Sequence, residues 1–220
     1  MTPRPQRWLL LLFALASVAL HGCQTDNGSK TQAQQVTVED ITQPPKASPQ
    51  DEKYANVYKP LDGTWKGTFN IYVHSQGQTP DGRPKTLTPE AWKQPPYRLD
   101  QTIDVTQVYT SESPYFQRVT ITDTYADGRT VTSQGVNKVQ DGRMYCVVKK
   151  PDDLVIHDGS TEGSDTIIWR RERTSPLAIE YFRETVQDDA YTIIGWGYYG
   201  NANPELSPSY FFEATYKRVK

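Results

Sequence analysis

Polar and apolar side chains alternate in short runs from about residue 64 to the end of the chain. In the first run, Trp65, Gly67, Phe69 and Ile71 fall on one face of an extended chain and Lys66 on the other. A period of two is that of a β-strand, whose successive side chains point to opposite faces. Similar runs follow at residues 97–109, 115–125, 143–150, 166–173, 177–186, 191–199 and 210–219.

Pairs of turn-forming residues separate many of these runs. They are Asp127-Gly128, Asp141-Gly142, Asp158-Gly159 and Asp188-Asp189, and pairs of this kind favour tight hairpins. No segment after residue 54 has a long helical stripe. Because closing a sheet removes its exposed edges, the sequence predicts an all-β fold, an antiparallel up-and-down barrel of about 8–10 strands.

The first 22 residues have the order of a secretory signal peptide. Arg4 and Arg7 precede an apolar run at residues 8–20, and small residues follow. The run is shorter than the roughly 20 apolar residues that a membrane-spanning helix needs. A buried core helix is the alternative, but the run shows no amphipathic face.

A short motif at the end of this segment, "LHGC", resembles the lipobox of bacterial lipoproteins. The resemblance implies cleavage before Cys23 and acylation of its thiol, and Gln24 implies sorting to the outer membrane of the cell envelope, facing the periplasm. Two or more acyl chains hold a protein durably at a membrane. The alternative is an ordinary secreted protein with a spare thiol.

Residues 23–53 are rich in Gln, Thr, Pro, Ser and charged residues, and no period holds along them. Such a segment cannot bury enough apolar surface to fold, so we expect a flexible tether after the lipidated cysteine. This tether accounts for part of the low mean hydropathy of -0.70. The predicted organisation is therefore a signal peptide at 1–22, a lipidated tether at 23–53 and a barrel domain at 54–220.

The connection between the first two predicted strands is long, at residues 74–96. It contains "TPEAW", which is typical of a cap followed by one helical turn. Long connections in compact domains are usually functional or disordered. We interpret this one as a lid over the barrel mouth that carries Trp92, and the alternative is a floppy insertion.

The motif Gly63-Thr64-Trp65 at the start of the first strand resembles the G-x-W signature of the calycins, the superfamily of the lipocalins. In that family a basic residue of the last strand lies across the Trp and closes the barrel, a role that the resemblance assigns to Arg218. It also implies a small, mostly apolar ligand inside the barrel. "GTWKG" resembles the haem-binding nitrobindins as well, but those use a His near the C-terminus; the segment after the signal has only His74 and His157. No cofactor is predicted.

Several polar side chains lie on the same face of a predicted strand as apolar ones. If they face inward, they form a polar cavity for an amphipathic or anionic ligand, with arginine as a carboxylate partner. The candidate ligand-binding residues are Gln101, Gln117, Arg171, Arg173 and Arg183. The alternative places them at strand ends or on the outer face, paired with acidic residues.

The sequence does not contain complete motifs for nucleotide binding, metal binding or nucleophilic catalysis. "GWGYYG" at residues 195–200 has dinucleotide-motif spacing but no helix can start after it, so its glycines are interpreted as making room for bulky neighbours. Cys146 is expected to be a buried, inert thiol, and His157 to lie in an exposed turn. No zinc or serine-nucleophile motif occurs, and a net charge of -2 without a basic run argues against nucleic acid.

The sequence thus predicts an envelope lipoprotein whose barrel binds a small amphipathic or apolar ligand without catalysis. A structural or assembly protein that presents the barrel surface to an envelope protein or glycan is the alternative. An enzyme is the third reading, for which no catalytic set of residues and no metal site is visible.

Overall fold

The computed structural model describes residues 43–80, 82–85, 88–150 and 153–220. The predicted signal peptide, Cys23 and most of the predicted tether lie outside these residues. Within them, no helix is long and apolar enough to cross a membrane. The described residues form ten strands: β1 Gly63–His74, β2 Tyr97–Ser113, β3 Phe116–Thr124, β4 Thr130–Gln140, β5 Arg143–Lys149, β6 Leu154–Glu162, β7 Thr166–Thr174, β8 Leu177–Gln187, β9 Ala190–Tyr199 and β10 Tyr210–Val219.

The ten strands close into one antiparallel barrel, which confirms the predicted fold class. Each strand pairs with its neighbour in sequence, and β1 also pairs with β10, where Trp65 lies opposite Arg218. The end of the barrel at Gly63 and Val219 is called the closed end below. The opposite end, where the β1–β2, β5–β6 and β7–β8 connections lie, is called the mouth.

Most of the predicted turn pairs connect strands, and one does not. Asp141-Gly142 and Asp188-Asp189 lie between strands, and Asp141, Gly142 and Asp188 have positive φ angles as tight turns require. The predicted turn at Asp158-Gly159 is wrong, because both residues lie inside β6. Gly159 is needed there for space, since a Cβ atom at this position would collide with the Trp169 ring.

The described chain already packs against the barrel before residue 54. Short 3-10 helices span Pro49–Tyr54 and Lys59–Leu61. Asp51 is fully buried, and its carboxylate accepts hydrogen bonds from the backbone N–H groups of Ser48 and Gly142, each at 2.7 Å. The segment predicted as the end of the tether is therefore packed against the β4–β5 turn, where buried hydrogen bonds replace the solvation that a tether would have.

Asp51→Ala should lower the free energy of unfolding by about 1–2 kcal/mol, since two partly buried N–H donors lose their acceptor. The expected control is Asp104→Ala, at an exposed site on β2, with a change within about 0.5 kcal/mol. Urea unfolding of the three proteins measures both values. Equal stability of the Asp51 variant and the parent would show that the N-terminal segment does not contribute to the fold.

Candidate functional site

The structure brings Gly63, Trp65 and Arg218 together at the closed end. Trp65 is fully buried, and its indole N–H donates to the carbonyl of Leu61 at 2.6 Å. The Arg218 guanidinium lies 4.1 Å from the centre of the Trp65 ring and donates to the carbonyl of Pro60 at 3.0 Å. Gly63 has a φ of 115°, and a Cβ there would lie 3.0 Å from the guanidinium. These contacts join β1, β10 and the segment before β1 at the closed end. The group formed by Pro60, Leu61, Gly63, Trp65 and Arg218 is called the plug below.

Gln117 belongs to the same plug and not to a ligand site. Its amide nitrogen donates to the carbonyl of Tyr58 at 2.8 Å and to the Asp62 carboxylate at 2.9 Å, and its oxygen accepts from Asn137 at 3.0 Å. The side chain faces inward, but β3 begins at the closed end. Its position one residue into that strand therefore places it under the plug, far along the strand from the mouth.

The inner wall of the barrel carries aromatic rings that lie over glycines. Gly195 of β9 is covered by the Phe182 ring of β8, where an added Cβ would lie 2.7 Å from a ring carbon. Because Gly195 has no side chain, Phe182 also reaches the Phe212 ring of β10, with centroids 5.4 Å apart. Phe212 in turn contacts Phe69 of β1 at 5.5 Å. These rings form a continuous apolar strip across β1, β10 and β8 on the inner wall.

Several inward-facing side chains of the barrel are only partly buried. Cys146 lies deep in the barrel, opposite His157 in the β5–β6 pair, and burial raises the pKa of its thiol. It nevertheless keeps solvent-accessible surface, as do Phe69, Ile121 and Phe182. A side chain that is deep in a closed barrel and still accessible must face an internal space, which is called the lumen below.

Charged side chains of three adjacent strands meet inside the lumen, towards the mouth. His157 Nε2 of β6 lies 2.7 Å from Glu180 Oε2 of β8, and Arg171 of β7 lies 3.5 Å from the other oxygen of Glu180. Asp153, at the mouth, lies 3.1 Å from both Arg171 and Arg173. These five residues are called the mouth cluster.

Electrostatic balance keeps Glu180 ionised within the mouth cluster. Burial acts to raise the pKa of its carboxyl, but the hydrogen bond and charge of His157, together with Arg171 and Tyr199, more than offset this and lower the pKa to about 2. The side chain is almost completely buried. The mouth cluster is thus a paired charge network that is buried at His157, Glu180 and Arg171 and partly exposed at Asp153 and Arg173.

Three of the five predicted ligand-binding residues face the lumen. Arg171 and Arg173 belong to the mouth cluster, and Gln101 is partly buried opposite Ile71 on the inner face of β2. Arg183 does not face inward. It lies opposite Ile194 on the outer wall and pairs with Glu162 at 3.3 Å, because the inner face of β8 is the one that carries Glu180 and Glu184.

Trp92 does not cover the mouth. It is buried against the outer wall, stacked on Phe211 with ring centroids 5.1 Å apart. The β1–β2 connection is fastened to the β9–β10 connection, where Thr79 and Ser207 exchange hydrogen bonds at 2.7 and 2.9 Å. The described part of the connection therefore covers outward-facing rings such as Trp196, and Trp92 packs in that outer cluster instead of over the mouth.

Sequence reasoning missed the inward position of three titratable groups. His157 is buried on β6 and not exposed in a turn, and Glu180 and Glu184 were considered only as partners of arginines. The sequence did contain a signal for His157. Val155, His157 and Gly159 alternate along the chain and therefore lie on one face of a strand. Among the residues that the structure describes, no group of three His, Cys, Asp or Glu side chains could hold a metal ion.

Neither a family model nor a curated protein matches the chain. Solved structures with a similar fold include Rv2717c from M. tuberculosis, 15% identical, with a TM-score of 0.47 over 80% of this chain and 100% of that one. A redesigned β-barrel, b11L5F_LGL, is 14% identical with a TM-score of 0.37, covering 76% of this chain and 97% of its own. The redesigned barrel mFAP0, solved bound to DFHBI, is 16% identical with a TM-score of 0.35, covering 72% of this chain and 99% of that chain. At such identities the likeness concerns the barrel fold alone.

Proposed function

We propose that the barrel binds one small amphipathic ligand in its lumen without catalysis. The apolar part of the ligand lies along the ring wall of Phe69, Phe182 and Phe212, and its polar head lies at the mouth cluster. Sites of this kind combine mostly apolar walls with a few convergent polar groups. The accessible surface of deep, inward-facing side chains is the observation that carries the proposal.

The polar head of the ligand takes the position of the Asp153 carboxylate. Its carboxylate holds both Arg171 and Arg173, yet 37% of its side chain is exposed and it belongs to the short β5–β6 connection. A ligand carboxylate, sulfonate or phosphate can replace it on the two guanidinium groups, which form paired hydrogen bonds with such anions. Glu180 and His157 remain paired beneath and keep Arg171 oriented.

We further propose that the barrel is held at the cell envelope by lipid on Cys23, as a periplasm-facing, calycin-like lipoprotein of the outer membrane. The support is in the sequence: the apolar segment before Cys23, the motif "LHGC" and Gln24. The Trp65–Arg218 contact adds support for the calycin likeness. Radiolabelled palmitate should be incorporated into the parent protein and not into Cys23→Ala, and equal incorporation would contradict the anchor.

Binding of the anionic fluorophore anilinonaphthalene sulfonate tests the lumen proposal. Arg173→Gln should weaken binding about fivefold, since a partly exposed charge-assisted hydrogen bond is lost. Arg183→Gln is the matched control, because 34% of the Arg183 side chain is exposed against 32% for Arg173, and it lies on the outer wall. Binding that is equally weakened by both variants, or by neither, would contradict a site at the mouth cluster.

A further inference from the structure

A second cavity lies at the closed end, away from the mouth cluster. Its volume is about 180 Å³, and it separates the N-terminal segment from the ends of β6, β7 and β8. Apolar side chains form much of its wall, hydroxyl groups of Thr161, Ser164 and Thr166 form the rest, and Glu184 lies in its lining. The apolar side chains of that wall are Tyr54, Ala55, Val57, Pro60, Leu61, Ile167 and Val186.

Glu184 is the group in this cavity that lacks a charge partner. Its carboxyl faces two hydrogen-bond donors, the Trp169 indole and the Tyr191 hydroxyl. Across residues 43–220, as far as they are described, no Lys, Arg or His lies within ion-pair distance of it. Neutral donors orient a carboxylate but leave its charge uncompensated, and a buried charge without a counter-ion is costly. Such a carboxyl either keeps its proton or exchanges it for a cation.

The rim of the cavity does not supply that cation. Lys53 is exposed and its ammonium group lies 4.7 Å from the centre of its neighbour's ring, that of Tyr54. Asp165, also in the lining, is bound by Thr166 at 3.1 Å and Gln187 at 2.9 Å, which hold the pKa of its carboxyl below the usual value. With Glu184 ionised, the lining carries two negative groups and one positive group, and an incoming cation restores the balance.

We propose that this closed-end cavity binds a small organic ammonium ion, whose charged group pairs with Glu184 and whose apolar part lies against Leu61, Ile167 and Val186. The hydroxyl group of Thr161, which also lines the cavity, accepts a further N–H bond of a primary ammonium. The site is separate from the mouth cluster and does not depend on the lumen function. A cavity of this volume suits a short aliphatic amine.

The pH dependence of amine binding should follow the ionisation of the Glu184 carboxyl. Burial raises the pKa of Glu184 from 4.5 to about 7, against the opposing hydrogen bonds of Trp169 and Tyr191. The groups that face it from other strands are Tyr109 on β2, Cys146 on β5, Tyr191 on β9 and Tyr216 on β10; burial raises the pKa of each, beyond the pH 6–8 window. Glu180 on its own strand, Asp165 in the β6–β7 turn and Lys53 in the N-terminal segment complete the charged surroundings.

Calorimetric titration of the full chain with n-butylamine tests the proposal, with n-butanol and butyrate as neutral and anionic probes of matched shape. Affinity for the amine should rise about tenfold between pH 6 and pH 8, following ionisation of the carboxyl. Glu184→Gln should weaken amine binding at pH 8 at least about tenfold and remove its pH dependence. Glu162→Gln, at an exposed carboxylate near the same end, should leave both unchanged.

Thermal unfolding of each variant verifies that it is folded before titration. Equal affinity for butylamine and butanol would overturn the proposal, because the carboxylate would then contribute nothing. So would amine binding that Glu184→Gln leaves intact, and so would an amine affinity that does not change with pH. Loss of amine binding in the Glu184 variant together with unchanged fluorophore binding at the mouth would establish two independent sites.

Discussion

Trp65→Ala should lower the free energy of unfolding by about 4 kcal/mol, as expected for truncation of a large, fully buried aromatic side chain. The loss has three components. The side chain leaves a cavity under the plug, its hydrogen bond to the Leu61 carbonyl disappears, and the Arg218 guanidinium loses the ring 4.1 Å away. Urea unfolding followed by far-ultraviolet circular dichroism measures the change.

Trp92→Ala is the control for this prediction, because Trp92 is also buried but belongs to the β1–β2 connection that packs on the outer wall. A connection can settle onto the wall and close the space that truncation leaves, so the expected loss is smaller, about 2 kcal/mol. A loss below about 1.5 kcal/mol for Trp65, or one no larger than that for Trp92, would contradict the role of Trp65 in holding the plug.

Stability should fall by roughly 3 kcal/mol as the pH rises from 4.5 to 7, because of Glu184. Burial raises the pKa of this carboxyl from 4.5 to about 7. The folded state therefore holds a proton that the unfolded chain releases, and the stability gained from the neutral form is complete below pH 4.5. It is lost as the pH rises towards 7 and changes little above that.

Glu184→Gln should remove the decline between pH 4.5 and 7 and make the protein more stable than the parent at pH 8. Glu180 acts in the opposite sense, because its pKa is lowered to about 2 and its stabilising ion pair is lost as the pH falls from 4.5. The two carboxyls thus affect different parts of the profile. A parent profile that is flat from pH 4.5 to 7, or a decline that persists in the variant, would contradict the buried position of Glu184.

The sequence predicted the barrel because strand periodicity and turn chemistry are local properties. Trp65 also set the correct phase of β1, and Arg218 emerged opposite it once the last strand was paired. Polar residues in other strands were harder to place, since a period of two defines two faces without saying which one points inward. The choice depends on the register between strands, which no single strand encodes.

Hydropathy alone would assign the wrong side chains of β8 to the inner wall. The β1–β2 connection, which covers part of the outer wall, explains why. Ile179 and Tyr181 point outward, where the Tyr181 ring stacks on Trp196 at 5.6 Å, while Glu180 and Glu184 point inward. The usual rule of apolar inside and polar outside fails at these four positions, although Phe182 and Val186 of the same strand do point inward. The outward rings are accommodated because the β1–β2 connection buries part of the outer wall. The candidate sites therefore lie on the face that a sequence reading treats as exposed.

Native mass spectrometry of the full chain, released from detergent micelles in the gas phase, tests the central claim that the barrel is a ligand carrier. We expect the folded protein to carry a small-molecule mass that disappears on denaturation and is reduced in Arg173→Gln but not in Arg183→Gln. A bare protein mass that also fails to gain added anilinonaphthalene sulfonate would contradict a lumen that binds amphipathic ligands.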